Sequence, residues 1–82
     1  MRRIVWSERA RADIRGLSRD IAMRIFAALH RFAEIGEGDI KKLRGDSSEL
    51  RLRVGDYRVR FTEESDESLH IHSVRKRSEA YR

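Results

Sequence analysis

The chain has 82 residues, 40% of them charged, with a formal net charge of +5 and a pI near 10.4. This length predicts one domain, residues 1–82, with a thin core. With no cysteine, a disulfide framework, a thiolate metal site and a thiol nucleophile are excluded. No apolar run approaches the ~18 residues of a membrane span, and the N-terminal sequence lacks an apolar signal region. We therefore expect a cytoplasmic protein that makes no membrane contact, with an anionic partner such as nucleic acid or an acidic protein segment.

The N-terminal half predicts one strand followed by two helices. Residues 2–6 are a β-branched and aromatic run, and Ser7 has the character of an N-cap for a helix over residues 8–17. Ser18 caps a second helix, which two glycines terminate in "GEGD". We expect the apolar positions of this helix to lie in the core: Ile21, Met23, Ile25, Phe26, Leu29, Phe32, Ala33 and Ile35.

The C-terminal half predicts three antiparallel strands. After a polar connection, "KKLRGDSSE", apolar residues alternate with polar ones over residues 50–54, 57–62 and from Leu69 onward, and a short basic tail follows. The order β-α-α-β-β-β predicts an α+β fold in which a strand and a helical hairpin pack on one face of an antiparallel sheet.

The reverse face of that sheet is strongly basic. By alternation it carries Arg51, Arg53, Arg58, Arg60, His70 and His72. Such a face is either merely solvated or a binding site for an anion. Like charges on neighbouring strands repel each other, and only Glu49 and Glu63 offer nearby compensation.

Other kinds of site find little support. His70 and His72 share one strand face but lack a third ligand, so we expect no metal and no cofactor. There is no Ser-His-Asp set, no glycine-rich phosphate loop and no paired-carboxylate site.

Three motifs resemble the RelE/ParE superfamily of toxins from type II toxin-antitoxin pairs. They are "KKLRG" before the hairpin, "LRLRVGDYRVRF" within it and "VRKRSEAYR" at the end, and the β-α-α-β-β-β order is also that of the superfamily. The resemblance to the RelE-like branch implies a metal-independent endoribonuclease that cuts messenger RNA in the ribosomal A site, with the ribose 2′-OH as nucleophile. It also implies three partners, which are the ribosome, messenger RNA and a cognate antitoxin.

The resemblance assigns catalytic roles to five residues: Arg51, Arg53, Arg58, Arg77 and Tyr81. We expect the arginines at 51, 53 and 58 to stabilise the negative charge of the transition state and Tyr81 to act as the base. Arg77 is a candidate acid or leaving-group stabiliser, and its high pKa favours the second role. Arg75 is an alternative to Arg77. Further contacts with RNA are expected from Lys41, Lys42, Arg44, Arg60, Arg75 and Lys76.

Two other functions remain open. The ParE branch shares the fold and poisons DNA gyrase, and a basic module that only binds nucleic acid or an antitoxin needs no catalytic group. ParE-like members generally lack the C-terminal arginine and tyrosine, so the presence of Arg77 and Tyr81 favours the RelE-like branch.

Overall fold

The computed structural model describes residues 1–43 and 48–80, the last two of these by their backbone alone. Its elements in chain order are β1 (Ile4–Trp6), α1 (Glu8–Arg15), α2 (Arg19–Ile35), β2 (Asp39–Lys42), β3 (Glu49–Val54), β4 (Tyr57–Glu63), β5 (Leu69–Lys76) and α3 (Arg77–Ala80). The predicted fold class is confirmed. Within the described residues, no helix combines the length and the apolar character needed to cross a membrane.

Local chemistry sets the limits of the two long helices. The Ser7 hydroxyl accepts a hydrogen bond from the Ala10 backbone N–H at 3.0 Å, which caps α1. The Ser18 hydroxyl caps α2 in the same way, with Ile21 as donor at 3.4 Å. Gly36 ends α2 with a left-handed φ of 72°, a conformation that glycine adopts without steric cost.

The five strands form one sheet in the order β1-β5-β4-β3-β2. Neighbouring strands from β2 to β5 are antiparallel, whereas β1 runs parallel to β5, so the sheet is mixed. Strand β2 lies in a segment that the sequence suggests is a polar connection. Its single apolar residue, Ile40, pairs with Leu52. The strand forms because its backbone hydrogen-bonds to the edge of β3. One apolar residue is too few to show the alternation from which a strand is predicted.

Both long helices pack against one face of the sheet. The core consists of Ala10, Ile25, Leu29, Phe32, Ala33, Leu52, Val59, Phe61, Leu69, Ile71 and Val74. The rings of Phe32 and Phe61 meet edge to face with centroids 5.4 Å apart, joining α2 to the middle of the sheet. The predicted core face of the sheet is therefore confirmed, which leaves the opposite face open.

The expectation that Met23 and Ile35 lie in the core is wrong. Their exposed fractions are 54% and 59%. Met23 is two residues from Ile25, a rotation of about 200° around the helix, which turns it away from the buried stripe. Ile35 is the last residue of α2, beyond the buried Phe32.

The first helix protects the edge of β5 where β1 ends. Strand β1 pairs only as far as Ile71, and beyond that point the Ser7 hydroxyl donates to the His72 carbonyl at 3.1 Å. Asp13 then accepts a hydrogen bond from the Val74 backbone N–H at 2.9 Å. A side chain of α1 thus replaces a strand partner and holds the end of β5 in place.

Candidate functional site

Two cross-strand rows of basic side chains cover the open face of the sheet. Reading from β2 to β5 in register, the first row is Lys41, Arg51, Arg60 and Ser73, and the second row is Asp39, Arg53, Arg58 and Arg75. Directly opposed residues on antiparallel strands have Cβ atoms about 4.5–5.5 Å apart. The strand pairing therefore brings together arginines that are far apart in sequence.

Carboxylates neutralise the arginines of the first row. Arg51 Nη2 lies 3.4 Å from Asp39 Oδ1, and Arg60 Nε lies 2.7 Å from Glu49 Oε1. The Arg60 Nε–H is not aligned for a hydrogen bond with this oxygen, so the contact is an ion pair. The expected compensation by Glu63 is wrong, because that carboxylate pairs with Arg2 at the far end of β4.

The arginines of the second row have no such neutralisation. Among the residues that the structure describes, no carboxylate oxygen lies within 4.0 Å of the guanidinium nitrogens of Arg53, Arg58 or Arg75. Arg53 Nε is 3.4 Å from the Gly55 carbonyl oxygen, and Arg58 Nη1 is 3.5 Å from the same atom. These are long hydrogen bonds to neutral acceptors, so both guanidinium groups keep capacity for an anion.

Arg58 is the most constrained of the three. Its side chain is on the open face, yet the residue is only 4% exposed. Its Nη1 also donates to the Tyr57 carbonyl oxygen at 3.4 Å, while its Nε is buried without a partner among the described residues. A buried guanidinium with an unused donor is unfavourable in the free protein and becomes favourable when an anion binds beside it.

Arg75 joins this group through its register. It pairs directly with Arg58 across β4 and β5, so it belongs to the second row. Arg77 starts α3 instead, is exposed, and donates its backbone N–H to the Asp56 carbonyl oxygen at 2.6 Å. With Asp56, Lys76 and Ser78 it lines a cavity of about 430 Å³ at the hairpin turn. Arg75 therefore lies within the second row, and Arg77 lies at its border.

The structure separates some residues that the sequence analysis grouped. Lys41 lies in the first row, but Lys42 pairs with Leu50 and so belongs to the other face of the sheet. Lys76 pairs with Tyr57 and likewise lies outside the two rows. Arg44 and Tyr81 lie outside the described residues.

The two histidines on β5 bond to hydroxyl groups. A bulge between Arg60 and Phe61 leaves His72 without a direct partner in the ladder, and its Nε2 lies 2.9 Å from the Thr62 hydroxyl. His70 Nε2 lies 3.0 Å from the Ser68 hydroxyl. In the described part of the chain, no group of three or more His, Cys, Asp or Glu side chains is arranged to hold a metal ion.

Two residues near the site were missed by sequence reasoning, Asp39 beside the first row and Arg24 on the helix side of the hairpin turn. Asp39 was assigned to the end of α2, although its alternation with Lys41 is a signal that both face one side of a strand. Arg24 of α2 reaches the hairpin turn, where a Cβ added to Gly55 would lie 3.6 Å from its Nη2. No sequence pattern links Arg24 to the turn, because the contact depends on how α2 packs.

The second row can bind a phosphate group and stabilise added negative charge on it. Guanidinium groups donate several hydrogen bonds in a fixed plane and remain charged at any physiological pH. Three of them that lack acidic partners, one already desolvated, form a preorganised electrostatic site.

Comparison with solved structures identifies the fold. A chain of the RelB-RelE antitoxin-toxin complex from Methanococcus jannaschii matches with a TM-score of 0.79 and 22% identity, over 94% of each chain. The isolated E. coli RelE toxin matches with a TM-score of 0.79 and 23% identity, over 99% of this chain and 92% of that one. The YoeB dimer from Staphylococcus aureus matches with a TM-score of 0.71 and 20% identity, over 88% and 92%. These likenesses establish a RelE-like fold.

Sequence comparison supplies the family. Comparison with curated protein sequences gives no significant match. The family model described as the ParE toxin of the type II toxin-antitoxin system, parDE, matches residues 4–81, nearly the whole chain. The chain therefore belongs to the ParE toxin family of type II toxin-antitoxin systems, within the RelE/ParE superfamily that its motifs resemble.

Proposed function

We propose that this toxin is a metal-independent endoribonuclease that cleaves messenger RNA in the ribosomal A site. The observation that carries the proposal is the second row, in which Arg53, Arg58 and Arg75 have no carboxylate partner among the described residues. A site that stabilises a phosphoryl transition state needs such uncompensated positive charge. In the first row, by contrast, Asp39 and Glu49 pair with the arginines.

In the proposed reaction the ribose 2′-oxygen attacks the adjacent phosphorus in line, and the bond to the 5′-oxygen of the next nucleotide breaks. The products are a 2′,3′-cyclic phosphate and a 5′-hydroxyl. Negative charge grows on the non-bridging oxygens during attack, and Arg58 with Arg53 and Arg75 stabilises it. Arg51 supports the same charge from the first row, where Asp39 holds its guanidinium.

Two proton transfers complete the step. Tyr81 is the proposed base that takes the 2′-OH proton, since positive charge beside a phenol favours its phenolate form. Arg77 stabilises the charge on the leaving 5′-oxygen, which water or a ribosomal group protonates, since an arginine holds its proton too tightly to be a good acid. Lys41 and Arg60 of the first row, together with Arg44, are proposed to hold the RNA strand beyond the site, whereas Lys42 and Lys76 belong to the other face of the sheet.

Single-turnover cleavage on programmed ribosomes, mapped by primer extension, tests this proposal. We expect Tyr81→Phe, which keeps the ring and removes the ionisable oxygen, to slow cleavage by roughly 10²- to 10⁴-fold. Arg77→Ala should slow it by a comparable factor, because it removes one preorganised charge. Arg15→Ala, an exposed residue of α1 remote in sequence from the site, is the control and should cut at the parent rate. A Tyr81→Phe protein as fast as the parent would exclude Tyr81 as the base.

A cognate antitoxin is the second proposed partner. Solved relatives include RelE with RelB from Methanococcus jannaschii. An acidic segment that folds on binding suits the basic face of this chain, and the exposed Met23 and Ile35 offer apolar contacts to it. Because part of this binding is electrostatic, the affinity of a purified antitoxin should fall as salt rises. An affinity independent of salt would contradict a role for the basic face.

Inhibition of DNA gyrase is the second candidate function. The family model that matches residues 4–81 is described as a ParE toxin, and this favours the ParE-like action that the superfamily also contains. A gyrase cleavage-complex assay separates the two. Accumulation of cleaved DNA with gyrase, together with intact messenger RNA on ribosomes, would replace the ribonuclease proposal.

A further inference from the structure

A cavity of about 360 Å³ opens between α1 and the end of β5. Arg9, Gly16 and Leu17 line one side of it, and Tyr57, Arg75 and Lys76 line the other. Its volume falls within the range of small-molecule sites in proteins. It is also adjacent to the second row, because Arg75 belongs both to that row and to the wall of the cavity.

The charge of the cavity is positive. Arg9, Arg75 and Lys76 contribute three cations, and the only carboxylate among the described lining residues belongs to Asp13. One oxygen of Asp13 is occupied by the Val74 backbone N–H at 2.9 Å, and the other lies 3.7 Å from Arg9 Nε. That long contact, to an arginine whose side chain is 57% exposed, leaves the Arg9 guanidinium able to bind another anion.

The cavity also has surfaces suited to a planar ring. Tyr57 and Leu17 are half-buried and line it from opposite elements, β4 and the turn after α1. Unpaired bases bind proteins by stacking on aromatic rings, while cations contact the neighbouring phosphates. A nucleotide satisfies both halves of this lining, whereas inorganic phosphate satisfies only the cations.

We propose that this cavity binds the nucleotide next to the phosphate held by the second row, and this inference rests on the proposed function. The base contacts Tyr57 and Leu17, and Arg9 and Lys76 contact the phosphate that follows. Arg75 lies between the two phosphates and fixes their spacing. Arg9, on a helix that no sequence motif connects to RNA, thereby becomes a substrate-positioning residue.

Binding of adenosine 5′-monophosphate to the free protein tests the cavity without a ribosome. In ¹H–¹⁵N spectra, the amides of Gly16 and Leu17 should shift on titration with this nucleotide and not with inorganic phosphate at equal ionic strength. Arg9→Gln should raise the dissociation constant of the nucleotide by about tenfold or more, because it removes a hydrogen bond from a charged group to the phosphate. Arg11→Gln, an exposed change on the same helix outside the cavity lining, should leave it unchanged.

A second pair of variants tests the cavity without changing its charge, one by filling it and one as the matched control. Gly16 has a φ of −81°, and a Cβ there would lie 3.5 Å from the Asp13 carbonyl oxygen, an ordinary contact. Gly16→Phe should therefore fold and occupy the cavity, and Gly16→Ala should fold and leave it open. Thermal melts establish folding, and the nucleotide should bind the alanine variant and not the phenylalanine variant.

The outcomes separate this inference from the proposed function. Absence of Gly16 and Leu17 shifts, or equal binding by the Arg9→Gln and Arg11→Gln proteins, would refute the nucleotide cavity even if the toxin cuts RNA. On programmed ribosomes, Gly16→Phe should raise KM on normal message and have no further effect on message lacking the flanking base. A parent protein that binds the nucleotide in the cavity yet leaves ribosomal message intact would refute the ribonuclease and not the cavity.

Discussion

Replacing Arg58 by methionine should stabilise the free protein while it weakens anion binding. Arg58 is 4% exposed. Among the described residues its Nε has no partner, and it makes only two hydrogen bonds, of 3.4 and 3.5 Å, to backbone carbonyls. Its cross-strand neighbours Arg53 and Arg75 are also cationic. Desolvation and like-charge repulsion therefore both act against the native guanidinium.

The expected gain is about 1–2 kcal/mol in the free energy of unfolding. Substituting apolar residues of similar size for buried ionic groups is often neutral or stabilising by about 1–4 kcal/mol, and the loss of two long hydrogen bonds offsets part of this. Methionine is flexible enough to fill most of the space. For a domain of this size, such a gain raises Tm by roughly 4–16 °C.

Urea and thermal unfolding of Arg58→Met beside Arg53→Met provide the assay. Both changes remove one positive charge from the same row, but Arg53 is exposed, so its replacement should alter stability by less than about 0.5 kcal/mol. Added phosphate should raise the Tm of the parent more than chloride does at equal ionic strength, and this difference should vanish in Arg58→Met. A loss of more than about 1 kcal/mol in Arg58→Met would refute the argument, because it would mean that the guanidinium is well satisfied in the native state.

Three further predictions concern the scaffold. Asp13→Ala should destabilise the protein by about 1–3 kcal/mol in urea unfolding, because it leaves the buried Val74 N–H without its acceptor, while Asp13→Asn keeps an acceptor oxygen and should lose less. Gly36→Ala should cost about 1–2 kcal/mol, since Gly36 has a φ of 72°, whereas Gly16→Ala at −81° should be neutral or slightly stabilising. Hydrogen bonds from the Ser68 hydroxyl and N–H lower the pKa of Asp66 from its usual 3.8, so this stabilisation is complete at neutral pH and is lost as the pH falls through the folded-state value. The stability advantage of the parent over Asp66→Asn should therefore shrink between about pH 5 and pH 2, and an advantage that is constant with pH would contradict it.

The parts of the fold that could be predicted are those set by residues close together in the sequence. Ser7 and Ser18 cap their helices and Gly36 ends α2 where the sequence indicates, and alternation assigns Leu52 and Phe61 to the core face. Strand β2 was not predictable, because its order comes from pairing with β3 rather than from its own residues. The parallel placement of β1 beside β5 also depends on contacts between distant parts of the chain.

The same distinction applies to the candidate site. Alternation alone places Arg51, Arg53, Arg58 and Arg60 on one face of the sheet, and that part of the prediction agrees with the strand register. The compensation by Glu49 was predicted and is confirmed by its ion pair with Arg60. The neutralisation of Arg51 could not be inferred, since it depends on the strand β2 that supplies Asp39. Continued alternation from Leu69 and Ile71 would place Arg75 on the core face. The bulge opposite Arg60 and Phe61 reverses the alternation, so Val74 is buried and Arg75 joins the second row.

The two interpretations of an arginine-rich face each describe one of its rows. In the first row, ion pairs with Asp39 and Glu49 balance the charges of Arg51 and Arg60. In the second row, by contrast, the chain keeps a guanidinium buried at Arg58 with cations on both neighbouring strands. A small domain has little stability to spare, so an unfavourable buried charge is retained only if something outside the folded chain binds there. An anion is the one kind of ligand that relieves desolvation and repulsion together, and this is why the second row, rather than the number of arginines, indicates function.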